Sequence, residues 1–133
     1  MEHEFIFYPK KNFVIIRTHG HATLEGFKTF VIDLLKDTQW VKGMTILVDH
    51  RDVDFNGISK VDVDTYRNFI IENSDIIGPA RIAAVVSEAL GYGLGRMWEI
   101  PLRCEVAFEH HVFYSINDAI TWLGTEVDDP CNK

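Results

Sequence analysis

Two continuous apolar runs constrain the fold of this chain more than any other feature. Residues 44–49 read MTILVD and residues 80–87 read ARIAAVVS. Runs of this kind are typical of strands that are covered on both faces, which occur in sheets with parallel crossover connections. Both segments are therefore predicted to be central strands. We expect burial of Leu47, Val48, Ile82, Ala84 and Val86.

Strand and helix patterns alternate around these two runs. EFIFYP and NFVIIRTH, which are separated by Lys10 and Lys11, predict an antiparallel hairpin. TLEGFKTFVIDLLKDT has helical apolar spacing with Thr23 as its N-cap, and Ser59 is the expected N-cap of a second helix. EALGYGLGRMWEI predicts a third helix, and NDAITWL predicts a last short one capped by Asn117. The prediction is a single α/β domain, a mixed sheet with an N-terminal antiparallel hairpin, parallel later strands and about four helices.

The position of the last strand is open between two segments. Residues 104–109 alternate as a strand would, whereas residues 111–114 form another β-rich run just before the last helix. The domain is expected to span residues 1–124. The polar residues 125–133 then form a tail that we expect to be disordered.

Composition and charge narrow the function classes. The chain has 133 residues and a formal net charge of -7, and its lysines and arginines are scattered. An acidic surface repels phosphate backbones and anionic lipid heads, so we expect no nucleic-acid binding. No apolar run approaches membrane-spanning length, so integral membrane association is not expected either. Cys104 and Cys131 form no C-x-x-C pair, and no signal peptide precedes them; both observations predict free thiols and a cytoplasmic protein.

The order of these elements, together with LVDHRDVD, AVVS, GLGRMWE and AITWL, resembles the SpoIIAA-like family. These small α/β domains are related to the STAS domains of anti-sigma-factor antagonists and to the Sec14-type lipid-binding fold. The similarity covers roughly residues 5–123, and it favours residues 111–114 as the last strand. It implies a regulatory or ligand-binding module rather than an enzyme. The position of the phosphorylated serine of the STAS antagonists falls here on Ile58, so Ser59 is interpreted as a helix cap.

A charged stretch follows the first buried run. Asp49, His50, Arg51 and Asp52 stand where a strand is expected to pass into a helix. One interpretation is a loop that is held in shape by its own ion pairs, with Arg51 donating to a carboxylate. The other is a ligand-binding edge at the carboxyl ends of the strands, to which Ser87 also belongs. The first interpretation predicts that removing Arg51 lowers stability.

Two further features were weighed in the third helix. Gly91 and Gly95 share one helical face, which indicates close packing rather than a nucleotide fingerprint, because the spacing does not match G-x-G-x-x-G. Arg96 is either a charge near the negative end of the helix or a cation for a carboxylate or phosphate ligand. As a ligand anchor, Arg96 is expected to contribute little to stability.

Histidines suggest a competing function. His19, His21 and His50 follow neighbouring predicted strands, and with Asp49 or Asp52 they have the ligand types of a borderline metal site. A metal-assisted hydrolase is therefore the alternative.

The leading hypothesis is a non-enzymatic regulatory or ligand-binding module without a cofactor. It binds a protein partner or a small apolar or anionic ligand at the carboxyl-end edge of the sheet. The sequence also allows a homodimer. The candidate binding residues are Asp49, His50, Arg51, Asp52, Ser87 and Arg96.

Overall fold

The computed structural model describes residues 1–124 and contains one five-stranded sheet. Its strands are β1 Glu2–Tyr8, β2 Phe13–His21, β3 Thr45–Asp54, β4 Arg81–Val85 and β5 Glu109–Phe113. Its helices are α1 Leu24–Lys36, α2 Lys60–Glu72, α3 Ser74–Ile77, α4 Ala89–Glu99 and α5 Ile116–Leu123. The expected tail over residues 125–133 lies outside the described residues.

The strands lie in the sheet in the order β1-β2-β3-β4-β5. β1 and β2 pair antiparallel, and every later pair is parallel, which confirms the predicted mixed sheet. Val48 pairs with Ala84, and Ala84 pairs with Val112, so the centre of the sheet is in continuous register. The four longer helices match the expected helices, and α3 is an additional single turn.

The two faces of the sheet carry separate apolar clusters, as the side-chain alternation of strands requires. Ile46 and Val48 pack on the face that is covered by α1 and α2. Leu47, Ala83 and Val85 pack on the opposite face against α5. The five residues that were predicted to be buried are all buried.

Two of the three predicted helix caps are confirmed. The Thr23 hydroxyl accepts from the Gly26 amide at 3.0 Å. Ser59 forms a capping box, in which its hydroxyl accepts from the Asp62 amide and the Asp62 carboxylate accepts from the Ser59 amide, both at 3.0 Å. The cap predicted at Asn117 is wrong. The last helix begins earlier, and Ser115 is its N-cap.

The segment between α4 and β5 differs from both sequence alternatives. β5 overlaps the family-guided range 111–114 but begins two residues earlier, at Glu109. The range 104–109 is wrong because residues 104–108 form turns and bends, and Cys104 has a positive φ of 72°. Cys104 is also disulfide-bonded rather than a free thiol, and Cys131 lies outside the described residues. A disulfide-bonded cysteine does not support the expected cytoplasmic location. No helix between residues 1 and 124 is long and apolar enough to cross a membrane.

Candidate ligand-binding cavity

The charged stretch is part of a strand and does not form the loop that was expected. β3 continues to Asp54 because β2 runs beside it, pairing His19 with Asp52 and His21 with Asp54 after a register shift. The loop into α2 therefore comprises only residues 55–59. Side chains that were expected to cluster are instead divided between the two faces of the sheet.

Asp49 and Arg51 lie on the face of Leu47 and bind one another. Arg51 donates from Nε to Asp49 Oδ1 at 2.9 Å and from Nη2 to Oδ2 at 2.8 Å, and its backbone amide also donates to Oδ1. These bonds hold the pKa of the Asp49 carboxyl below its usual value. The Ser87 hydroxyl donates to the Arg51 carbonyl at 2.9 Å, while the Asp52 side chain is exposed. The arrangement matches the self-tied interpretation of this segment, within a strand instead of a loop.

His50 lies on the other face, where the sheet and the helices enclose an apolar cavity of about 130 Å³. Its sheet side is formed by β2 to β5, including Ile16, Val48, Ala84 and Val112. Its helix side is formed by α1, α2 and α4, including Phe27, Phe30, Tyr66, Leu94 and Trp98. Among residues 1–124, Asp62 is the one aspartate, glutamate, lysine or arginine in this lining.

One side of the cavity reaches partly exposed residues. Leu24, Ile58 and Asp62 line it there, and they belong to the beginning of α1, the loop before α2 and the first turn of α2. These elements follow the carboxyl ends of β2 and β3. The accessible side of the cavity therefore lies at the edge where ligands bind in open α/β sheets.

Small residues set the distance between α4 and the sheet. A Cβ at Gly91 would lie 2.9 Å from the Phe55 ring, and one at Gly95 would lie 3.2 Å from Val112. The two glycines let this helix approach β5 and the loop closely, as their shared face predicted. From α2, Arg67 donates to the carbonyls of Met97 and Trp98 at the end of α4. Two helices of the cavity wall are thereby tied together.

The imidazole of His50 is buried and oriented by one neighbour. The Thr18 hydroxyl donates to the Asp49 carbonyl at 3.1 Å and lies 2.6 Å from His50 Nδ1. Because a hydroxyl has a single proton, both contacts are hydrogen bonds only when Nδ1–H donates to Thr18, which makes Nε2 the unprotonated nitrogen. The rings of Phe27, Phe30 and Phe55 surround the imidazole edge-on, with centroids 5.5 to 6.0 Å away.

Burial keeps His50 and Tyr66 on this wall neutral. Desolvation lowers the pKa of His50 to about 3, with a smaller effect from His110. Desolvation raises the pKa of the Tyr66 hydroxyl above its usual value. The same wall carries the indole N–H of Trp98, which is buried and has no hydrogen-bond partner among residues 1–124. Together with the neutral imidazole and phenol, it favours a ligand that forms hydrogen bonds over a charged one.

A buried carboxylate was missed in the sequence. Glu99 at the end of α4 has a side chain that is only 1% exposed. It accepts from Arg96 Nη1 at 2.7 Å, and its other oxygen lies 2.9 Å from His110 Nδ1. The i,i+3 spacing of Arg96 and Glu99 was the available signal, but spacing alone does not show which member of such a pair is buried. Arg96 therefore has an intramolecular carboxylate partner.

The predicted metal ligands do not meet. His50 faces the cavity, His19 lies 2.8 Å from Glu2, and His21 lies 3.4 Å from Asp54. Over residues 1–124, no group of three or more histidine, cysteine or acidic side chains could hold a metal ion. The geometry gives the hydrolase alternative no site in this part of the chain.

The sheet order and the helix placement define a SpoIIAA-like α/β fold. Among solved structures, the chain is similar to an uncharacterized protein of the DUF3478 family with a SpoIIAA-like fold from Shewanella loihica. The two share 14% sequence identity with a TM-score of 0.56, over 92% of each chain. No protein-family model and no curated protein matches the sequence. At this identity the likeness shows the fold, as the family resemblance implied.

Proposed function

We propose that this protein is a non-enzymatic module that binds a small, largely apolar molecule in the cavity between the sheet and helices α1, α2 and α4. The observation that carries the proposal is the cavity itself. Protein interiors are close-packed, and empty volumes larger than a water molecule are few in a domain of this size. A volume of about 130 Å³ lined by aliphatic and aromatic side chains is an exception that a ligand explains.

The size and lining of the cavity indicate the kind of ligand. A dry apolar cavity of roughly 150 Å³ is large enough to bind benzene. The present cavity is therefore matched to a molecule of about one aromatic ring. Such a ligand gains free energy from the apolar surface that it removes from water.

An anionic ligand is less well supported than an apolar one. The two arginines proposed as anchors already bind carboxylates, Arg51 that of Asp49 and Arg96 that of Glu99. Asp62 also lines the cavity, and its carboxylate would repel an anion at the accessible side.

Ligand-dependent melting of the purified protein tests this proposal. We expect benzene, toluene and indole to raise the melting temperature by about 3–5 °C at ten times Kd, because binding to the folded state stabilises it by mass action. Benzoate and benzylamine, which are charged compounds of similar size, should leave it unchanged. If no apolar compound raises the melting temperature, the cavity is not a ligand site.

A cavity-filling variant gives the matched control. Ala84 lines the cavity from β4, so Ala84→Leu should occupy its volume and abolish the ligand-induced shift. Ala107 is exposed and outside the lining, so Ala107→Leu makes the same chemical change without affecting binding. Equal ligand shifts in both variants would place the binding elsewhere.

Contact with a protein partner at the same edge is a second candidate, favoured by one observation. Arg51 and Asp52 are exposed there, next to Ser87. We propose that this edge contacts a second copy or another protein. Native mass spectrometry of gently purified protein separates the candidates. A small added mass that is lost in Ala84→Leu supports the cavity, whereas a dimer that is lost in Asp52→Arg supports the edge.

A further inference from the structure

One hydrogen-bond acceptor on the cavity wall belongs to His50, a residue that is nearly inaccessible from outside. His50 is 7% exposed, and it lines the cavity. Its Nδ1 is used by Thr18, whereas Nε2 has no hydrogen-bond partner among residues 1–124. A ligand that donates a hydrogen bond to this nitrogen gains more free energy than its apolar surface alone provides.

From this geometry we infer that the ligand of the cavity is neutral and carries a hydroxyl or N–H group that donates a hydrogen bond to His50 Nε2. The inference rests on the proposed ligand-binding function and specifies the chemical class of the ligand. A phenol, an indole or a small alcohol with an apolar body belongs to that class, whereas hydrocarbons and ions do not.

Three features of the site support a neutral donor. Thr18 favours the tautomer with Nδ1 protonated, because only then are its contacts to the Asp49 carbonyl and to Nδ1 both hydrogen bonds. The aromatic rings of Phe27, Phe30 and Phe55 hold the imidazole in place. Burial disfavours the imidazolium, so the neutral ring accepts a hydrogen bond from a donor group and does not attract an anion.

The test compares phenol with toluene, in which a methyl group replaces the hydroxyl, in two proteins. Their dissociation constants are measured by calorimetric titration on the full chain and on His50→Phe, which keeps an aromatic ring and removes the acceptor. We expect the affinity ratio of phenol to toluene to fall about tenfold in His50→Phe, because phenol there buries an unpaired hydroxyl. His3→Phe makes the same change outside the lining and should preserve the wild-type ratio.

The outcomes separate this inference from the proposed function. If toluene binds and the ratio is the same in His50→Phe, the cavity takes ligands but His50 does not select them, and the inference is overturned. If neither compound binds the wild-type protein, both the inference and the proposed function fail.

A second measurement needs no variant and decides the matter if His50→Phe does not fold. In ¹⁵N spectra of histidine-labelled wild-type protein, the unprotonated Nε2 of His50 should shift upfield when phenol is added. Toluene should leave it nearly unchanged. Equal shifts with both compounds would contradict a hydrogen bond at this nitrogen.

Discussion

The guanidinium of Arg51 binds both carboxylate oxygens of Asp49, two residues earlier on the same strand and the same face of the sheet. The Asp49 side chain is 13% exposed and that of Arg51 is 44% exposed. The pair thus joins a nearly buried anion to a cation at the surface. The pair therefore contributes more to the stability of the fold than a fully solvated ion pair does, and breaking it costs less than breaking a buried one.

Arg51→Ala is expected to lower the free energy of unfolding by about 1 kcal/mol, because Asp49 then keeps only the backbone amide of residue 51 as a donor. Urea denaturation at pH 7 measures the change. The pKa of Asp49 is lowered in the folded protein, so the stabilisation is present above the ordinary value of 3.8 and is lost as the pH falls below it. A difference between the two proteins that persists unchanged in strong acid would contradict the assignment to this pair.

Arg96→Ala is expected to be the more damaging of the two arginine substitutions, in contrast to the expectation from the sequence. The Glu99 carboxylate is 1% exposed, and without Arg96 its close remaining partner is His110. We expect a loss of about 2 kcal/mol in the free energy of unfolding, below the full value for a buried pair because Arg96 is partly exposed. Urea denaturation of Arg96→Ala and Arg51→Ala under the same conditions measures the two losses.

A second substitution shows whether that loss comes from a stranded charge. Glu99→Gln in the Arg96→Ala background removes the charge and keeps the shape of the side chain. The double variant should regain part of the stability. If it is less stable than Arg96→Ala alone, the cost arises from packing and not from the unpaired carboxylate.

Ser59→Ala should lower stability by about 1 kcal/mol, because it removes the acceptor for the Asp62 amide in the capping box. Ser59→Asn, which can still cap, should retain most of the stability. Thermal melting of both variants measures the difference. We also expect Ser59 to carry no stoichiometric phosphate, so its detection in protein from the native cells would overturn the assignment of a purely capping role.

His50 should make the protein less stable as the pH falls from 6.5 toward 3. Its pKa is about 3 in the folded protein and 6.5 for an ordinary solvated histidine, so in this window the unfolded chain binds a proton that the folded protein does not. Each proton contributes a slope of about 1.4 kcal/mol per pH unit. Denaturation of the wild-type protein and of His50→Phe between pH 7 and pH 4 measures this pH dependence of the free energy of unfolding. In His50→Phe, the slope of the free energy of unfolding against pH should fall by about 1.4 kcal/mol per pH unit. His19→Gln, at an exposed site, should leave that slope unchanged.

Local patterns in the sequence determined most of the secondary structure. The apolar runs gave the two buried central strands, and the hydroxyl side chains of Thr23 and Ser59 marked helix starts, because a cap bonds to an amide only three residues away. The cap at Ser115 was missed because Asn117, two residues later, is also a good capping residue.

Only the tertiary structure decided the site. β3 extends through the charged stretch because β2 supplies pairing partners, and this extension sends His50 to one face and Asp49 with Arg51 to the other. The burial of Glu99 and the open volume under α1, α2 and α4 depend on how separate elements pack. A strand pattern specifies that neighbouring side chains alternate, but non-local packing decides which face is covered, and how closely.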